Sequence, residues 1–275
     1  MSKDYFSYNS GTGIIPKDDF RISPSQLSKF FDSTSQWYRE HLLGEEGFTG
    51  NTATYLGTCV HAAAEMYTDS GKVDHSAILS YIDSIKDPEV DKQEIRSQYP
   101  VMVNTLIAKY LSLYNHPVET EIFVHEELLP KVHAAGSIDR YDETRRRIID
   151  YKSIGSLDKA RVPTKFPRNY WFQQMTYAWI LKKQGKPVDF VDLVYISRSN
   201  TGRISEKTGK PMKDYPSEVN ILTHQITQDD MDAIEGILQL VSESVDTWNS
   251  HPELRHILAQ DQRLKAKKPP RLFKN

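Results

Sequence analysis

Apolar residues recur at helical spacing from Leu27 through Phe30 and Phe31 to Trp37, Tyr38, Leu42 and Leu43, which predicts a helix stopping near Gly44. Ser23-Pro24-Ser25-Gln26 marks its start, with a capping serine, proline at the first helical position and glutamine three residues after the cap. GFTGNTATYLG then reads as a loop, and the small-residue run CVHAAAEMY predicts a closely packed helix from about Thr58. Helical patterns continue over roughly residues 76–86 and 89–114, the second ending before Pro117. The period then changes to two. Residues 119–129, 134–141 and 147–153 read as successive strands, with DETRR as the turn between the last two. A helix is predicted over 168–183, ending at Gly185 and Pro187, followed by strands over 190–197 and 218–227. Thr227-Gln228-Asp229-Asp230 resembles a capping box opening a long amphipathic helix through Trp248. This order predicts a single α/β or α+β domain over residues 1–275 with a mainly central sheet, a polar leader at 1–22 and a basic tail at 263–275.

Composition narrows the function classes. With 38% hydrophobic and 26% charged residues, and no apolar run near the roughly 20 residues that span a bilayer, the chain reads as soluble with no membrane partner. The start lacks an apolar segment after a basic one, so it does not read as a secretory signal. A lone cysteine, Cys59, excludes an internal disulfide framework and cannot by itself hold a zinc or iron–sulfur site, which makes the cytoplasm the expected compartment. The net charge of −2 argues against a protein coated in positive charge, yet RLKAKKPPRLFKN at 263–275 carries six basic residues and no acid. That tail reads either as a solvated, frayed terminus or as a nucleic-acid contact.

The chemistry concentrates in AAGSIDRYDETRRRIIDYKSIGS, residues 134–156. With the turn centred between Thr144 and Arg145, Asp139 falls opposite Asp150, and the period of two returns Lys152 to the same face. On that register, Ile138, Ile149 and Tyr151 are expected to hold the opposite face against a helix. Two adjacent carboxylates repel in a partly buried site unless a cation neutralises them, and hard oxygen ligands suit Mg²⁺ or Mn²⁺. A lysine beside such an ion can position or deprotonate the attacking water, or offset charge developing on a phosphate. Asp150-Tyr151-Lys152 alone would equally fit surface ion pairs on a hairpin edge. It is, however, the only acid-x-lysine triplet in the chain, and it sits within an isoleucine-rich strand.

Two further pairs stand at i and i+4 on helices. His61 and Glu65 share a helix face, either as a surface hydrogen-bonded pair or as part of a carboxylate metal site, for which a neutral imidazole suits Mn²⁺. Gln173 and Tyr177 lie in the aromatic helix NYWFQQMTYAW, which reads as core packing or as a helix placing these two over the hairpin to meet a phosphate or base.

Together and in this order, Gly57-His61-Glu65, Gly136-Ser137-Ile138-Asp139-Arg140, Ile148-Ile149-Asp150-Tyr151-Lys152 and Gln173-Tyr177 resemble the PD-(D/E)xK nucleases, most closely their RecB-type branch of phage and CRISPR-associated exonucleases. The resemblance spans roughly residues 23–197. It implies a restriction-endonuclease-like core, a central mixed sheet flanked by helices, with an added N-terminal helical portion. It implies a Mg²⁺- or Mn²⁺-dependent DNase, an exonuclease in recombination, repair or phage genome processing. A structure-dependent endonuclease and an inactive DNA-binding protein on the same fold are the alternatives. His61, Asp139, Asp150 and the Tyr151 carbonyl would hold the metal, and Lys152 would orient the nucleophilic water. Glu65 would be an accessory carboxylate, while Gln173, Tyr177 and Arg140 would support the site or the DNA. The four cysteines that hold an iron–sulfur cluster in many RecB-type enzymes are absent, so a cluster-free enzyme is expected. Gln174 occupies a position that is usually apolar in this helix. DNA is the implied partner, and the motifs leave open a homo-oligomer or a recombination or replication protein as another.

Overall fold

The structure is a computed structural model that describes residues 3–6, 13–45, 50–114, 116–155, 163–202, 204–205 and 208–259. A six-stranded mixed sheet is built from β1 (Phe20–Ile22), β2 (Glu119–Leu129), β3 (Val132–Asp142), β4 (Arg147–Ile154), β5 (Phe190–Ser197) and β6 (Val219–Gln225). β3 is its organising strand. Antiparallel β2 covers one edge along nearly the whole of β3, while the other edge is divided. Parallel β1 pairs with Val132 to Ala134, and antiparallel β4 pairs with Arg140 to Asp142. Between those two partners β3 has a gap. The sheet then continues through parallel β5 and antiparallel β6.

Two helical layers enclose the sheet. On one face lie α1 (Leu27–Asp32), α2 (Thr34–His41), α6 (Arg168–Lys183) and α7 (Gln228–Ser250), which pack over Ile148, Val191, Leu193 and Tyr195. On the other, α3 (Thr52–Ser70), α4 (His75–Ser84) and α5 (Lys92–Lys109) pack over Ile149, Tyr151, Val194 and Ile196. β5 is buried on both faces, which is why it reads as a nearly continuous apolar run. α6 is the crossover between parallel β4 and β5, as a parallel pair requires.

Several elements depart from the sequence expectation. β1 lies inside the stretch read as a polar leader, because three residues suffice to pair with β3. The single helix expected from Ser23 divides into a 3-10 turn (Pro24–Gln26), α1 and α2, with Ser33 extended at φ −158° between the two helices. Ser23 makes no side-chain cap to the backbone. α3 begins six residues before Thr58, because the Asn51 side chain accepts the Thr54 N–H and starts it at Thr52. Gly57 is therefore inside a helix, where a methyl group would stand 3.1 Å from Ser153 Oγ on β4. α5 ends at Lys109, short of residue 114, and a 3-10 turn (Leu111–Leu113) follows. The capping box at Thr227 and Asp230 is formed as expected. The basic tail at 263–275 lies outside the described residues.

Candidate active site

The gap in β3 is where the chemistry gathers. The observed pairs Arg140↔Ile149, Tyr141↔Ile148 and Asp142↔Arg147 have the register expected from a turn centred between Thr144 and Arg145. Continued by one step they would place Asp139 opposite Asp150. The ladder instead ends at Arg140 and the strands part. Asp139 Oδ2 accepts the Tyr151 N–H at 2.8 Å, so a carboxylate takes the place of a ladder carbonyl at the fork.

Across β3's other edge, Thr120↔Arg140 and Ile122↔Ile138 bracket Glu121 opposite Asp139. Glu121 has φ 47°, a left-handed conformation costing a non-glycine residue about 1–3 kcal/mol. Facing changes along β3 here. Ile138 packs with the α6-side core, as do Val132, Ala134 and, beyond the change, Tyr141. Of the three residues expected on the α3 face, Ile149 and Tyr151 lie there and Ile138 does not, so the expected grouping is corrected by this local change of phase.

α3 brings His61 into the fork. Its Nδ1 is 3.3 Å from Asp139 Oδ2, and its Nε2 donates to the Tyr151 carbonyl at 2.8 Å. Burial alone would lower the imidazole pKa, but the charge and hydrogen bond of Asp139 outweigh it and raise it to about 9. Asp139 is held below the usual carboxylate range: burial opposes this, and the charge of His61 prevails. Glu121 accepts from Ser137 Oγ at 2.9 Å, and burial together with the Asp139 charge pushes it up to about 7. One ligand atom from each of His61, Glu121 and Asp139 lies within 4.8 Å of the others.

Asp150 and Lys152 stand beside this cluster on β4. Lys152 Nζ is 2.6 Å from Asp150 Oδ2 and 4.6 Å from the Tyr170 ring centroid. Burial would lower the lysine pKa, but Asp150 and Asp139 outweigh it and raise it. Asp150 is raised by burial and by Asp139, against the pull of Lys152. The other oxygen, Asp150 Oδ1, accepts from Gln174 Nε2 on α6 at 2.9 Å. The three carboxylates Glu121, Asp139 and Asp150 thus share the fork with one ammonium and one imidazole. The oxygen-rich donor set with one imidazole fits a hard or borderline divalent cation.

Other expected residues are placed differently. Glu65, 7% exposed, lies one turn after His61 but pairs with Lys3 Nζ at 2.6 Å rather than joining the three-residue cluster. Arg140 is buried on the α5 side, 4.3 Å from the Tyr114 ring centroid and donating to the Tyr151 hydroxyl at 3.3 Å. Tyr177 is buried against β3, its hydroxyl 2.7 Å from where a methyl at Gly136 would be. Gln173 is half-buried, and the amide that reaches Asp150 belongs to its neighbour, Gln174. Glu121 and Lys3 were not among the expected site residues. Glu121 had a usable signal: centring the β2–β3 hairpin at Pro130 puts it equidistant with Asp139.

Among solved structures, the chain is similar to a candidate exonuclease from Eubacterium rectale, with TM-score 0.56 and 13% identity over 100% of this chain and 96% of that one. It also aligns with a phage-related exonuclease from Haemophilus somnus 129PT, at TM-score 0.44 and 14% identity over 82% and 97% of the two chains. The alkaline exonuclease LHK-Exo from Laribacter hongkongensis aligns at TM-score 0.40 and 10% identity over 86% and 93%. No curated protein sequence matches the chain. No helix among the described residues is long and apolar enough to cross a membrane. The profile of the PD-(D/E)XK nuclease superfamily matches residues 21–253, which contain every residue of the fork and all of the sheet but Phe20, and the chain belongs to that superfamily.

Proposed function

We propose that this chain is a divalent-metal-dependent DNA exonuclease whose reaction centre is the β3–β4 fork. The observation that carries the reading is the meeting of Asp139, Asp150 and Lys152 with His61 and Glu121 where the two strands part. Superfamily membership supports phosphodiester hydrolysis. The exonuclease description of the Eubacterium rectale structure, which shares this fold over the whole chain, favours an end-dependent enzyme.

Bound Mg²⁺ or Mn²⁺ would supply Lewis acidity at the scissile phosphate and lower the pKa of water. His61, Glu121, Asp139 and Asp150 would hold it, with the Tyr151 carbonyl bordering the same fork. His61 must give up the proton it holds in the Asp139 pair before its nitrogen can act as a ligand. Lys152, ion-paired with Asp150, would serve as a charged donor that orients water and offsets developing phosphate charge. Tyr170, packed on its ammonium, limits the directions in which Lys152 can donate.

The test is incubation with end-labelled linear and closed circular DNA in Mg²⁺, Mn²⁺ or EDTA, using the native chain, Asp150→Ala and Lys152→Ala. Linear DNA should be degraded only with a cation, and each variant should lose about 10²–10³-fold in kcat, the scale of one preorganised electrostatic contact. Cleavage in EDTA, or full activity in both variants, would refute the mechanism. Cleavage of closed circles would make the enzyme an endonuclease.

A further inference from the structure

We infer that Gln174 is a positioning residue for the reaction, holding Asp150 in one orientation. This rests on the reading of the fork as a metal-dependent nuclease site.

Gln174 has 0% exposure and sits on the sheet-facing side of α6 between Phe172 and Met175. A primary amide is an unfavourable occupant of an apolar helix–sheet layer unless its groups are hydrogen-bonded. Its Nε2 makes a 2.9 Å bond to Asp150 Oδ1, while its Oε1 has no hydrogen-bond partner among the described residues, so the bond to Asp150 is what the buried amide is placed to make. Asp150 is itself buried, at 4% exposure, so neither partner can exchange this bond freely for water.

The bond divides the two oxygens of Asp150. Oδ1 is fixed towards α6, and Oδ2 is left beside Lys152 at 2.6 Å. A carboxylate held at one oxygen cannot rotate about its Cβ–Cγ bond without breaking that contact, so the oxygen presented to the fork is chosen by the helix. The amide achieves this without adding charge. Lysine or arginine here would compete with a metal ion for the carboxylates, glutamate would add repulsion, and leucine or methionine would leave Oδ1 without its donor. Gln173, half-buried and one position earlier, points along a helical direction about 100° away and does not make this bond.

Outer contacts that orient a metal ligand typically change metal affinity or activity by about 10–100-fold. Gln174→Met preserves side-chain length and removes the donor, so it should weaken Mn²⁺ binding by about tenfold or more, measured by calorimetry or by the EPR signal of free Mn²⁺. It should lower kcat by a similar factor while leaving KM for DNA within about twofold. A structural role would move stability alone, so the same measurement is made in an Asp150→Ala background, which has no acceptor for the Gln174 amide. There the effect of Gln174→Met on Mn²⁺ affinity should disappear, whereas a packing effect would persist. Unchanged Mn²⁺ affinity in Gln174→Met, or an equal loss in both backgrounds, would overturn the inference. If the native chain neither binds Mn²⁺ nor cleaves DNA, the nuclease reading fails. If it does both and Gln174→Met matches it, only the role of Gln174 fails.

Discussion

Gly136 and Tyr177 are 41 residues apart, yet the structure makes each the reason for the other. Gly136 does not have a positive φ, so its backbone would accept any residue, and what excludes a side chain is space. A methyl there would stand 2.7 Å from the Tyr177 hydroxyl, 2.8 Å from its Cε1 and 3.2 Å from Pro24 Cδ. Comfortable carbon contacts lie near 3.5–4.0 Å, so Tyr177 or the strand must yield by roughly 1 Å. Tyr177 and Pro24 are both buried, which leaves little room to yield. Overpacking of this kind costs about 1–3 kcal/mol, and alanine returns about 0.4–1 kcal/mol by restricting the unfolded chain. Gly136→Ala should therefore lose about 1–2 kcal/mol in urea unfolding, or about 2–8 °C in Tm for a domain of this size. Tyr177→Ala opens a cavity and is destabilising by itself, but the double variant should be about 1–2 kcal/mol more stable than the sum of the singles. Additivity within about 0.5 kcal/mol would refute the contact. Activity should fall further than stability, since Asp139 lies three residues along the same strand and misplacement by about 1 Å can cost on the order of 10²-fold.

Asp230 receives hydrogen bonds from Thr227, Trp171 and His224, which outweigh burial and hold its pKa at about 2. A depressed folded-state value stabilises fully above the unfolded pKa near 4 and is lost as pH falls through about 2. Asp230→Asn should cost about 1–2 kcal/mol at pH 7, after allowance for solvent screening, and urea midpoints should converge with the native ones between about pH 4 and 2; a constant gap would contradict the linkage. Lys3 is 45% exposed, but its partner Glu65 is 7% exposed. Lys3→Met should therefore destabilise by about 1–3 kcal/mol, less than a fully buried pair, and an unchanged urea midpoint would show that Glu65 does not depend on it. The Cys59 thiol, fully buried and pushed up to about 12, should resist thiol reagents in native buffer and react in urea. If the basic tail binds DNA phosphates, removing residues 263–275 should flatten the salt dependence of binding by about 0.9 for each phosphate no longer neutralised, and an unchanged slope would return it to a solvated terminus.

Long periodic elements were legible in the chain because their burial alternates in ways the residue types must match. Residues 119–129, 168–183 and 190–197 were bounded as found, since each is framed by turn or breaker residues and packs as one unit. Elements set by tertiary partners were not. β1 has three residues and no pattern of its own, and it exists because β3 offers an edge beyond the reach of β4. The break at Ser33 interrupts an apolar spacing that remains helical on both sides. The start of α3 was hidden because Asn51 lies inside a run whose glycines and threonines resemble a loop.

The site shows the same division at finer scale. Hairpin arithmetic gave the register of residues 140–142 against 147–149 but not the expected Asp139–Asp150 pair, and the same arithmetic about Pro130 would have supplied Glu121. What arithmetic cannot supply is the parting of the strands, because it assumes that the ladder continues. Once the ladder ends, Asp139 is released from facing Asp150 as a cross-strand neighbour and takes a backbone N–H, while Asp150 turns to α6 and Lys152. Which glutamine reaches Asp150 then depends on the rotation of α6 about its axis. That rotation is fixed by Met175, Ala178 and Leu181 entering the core below it and by Tyr177 seating on Gly136. A motif that fixes spacing along a helix therefore leaves its facing open, and here the facing selects Gln174.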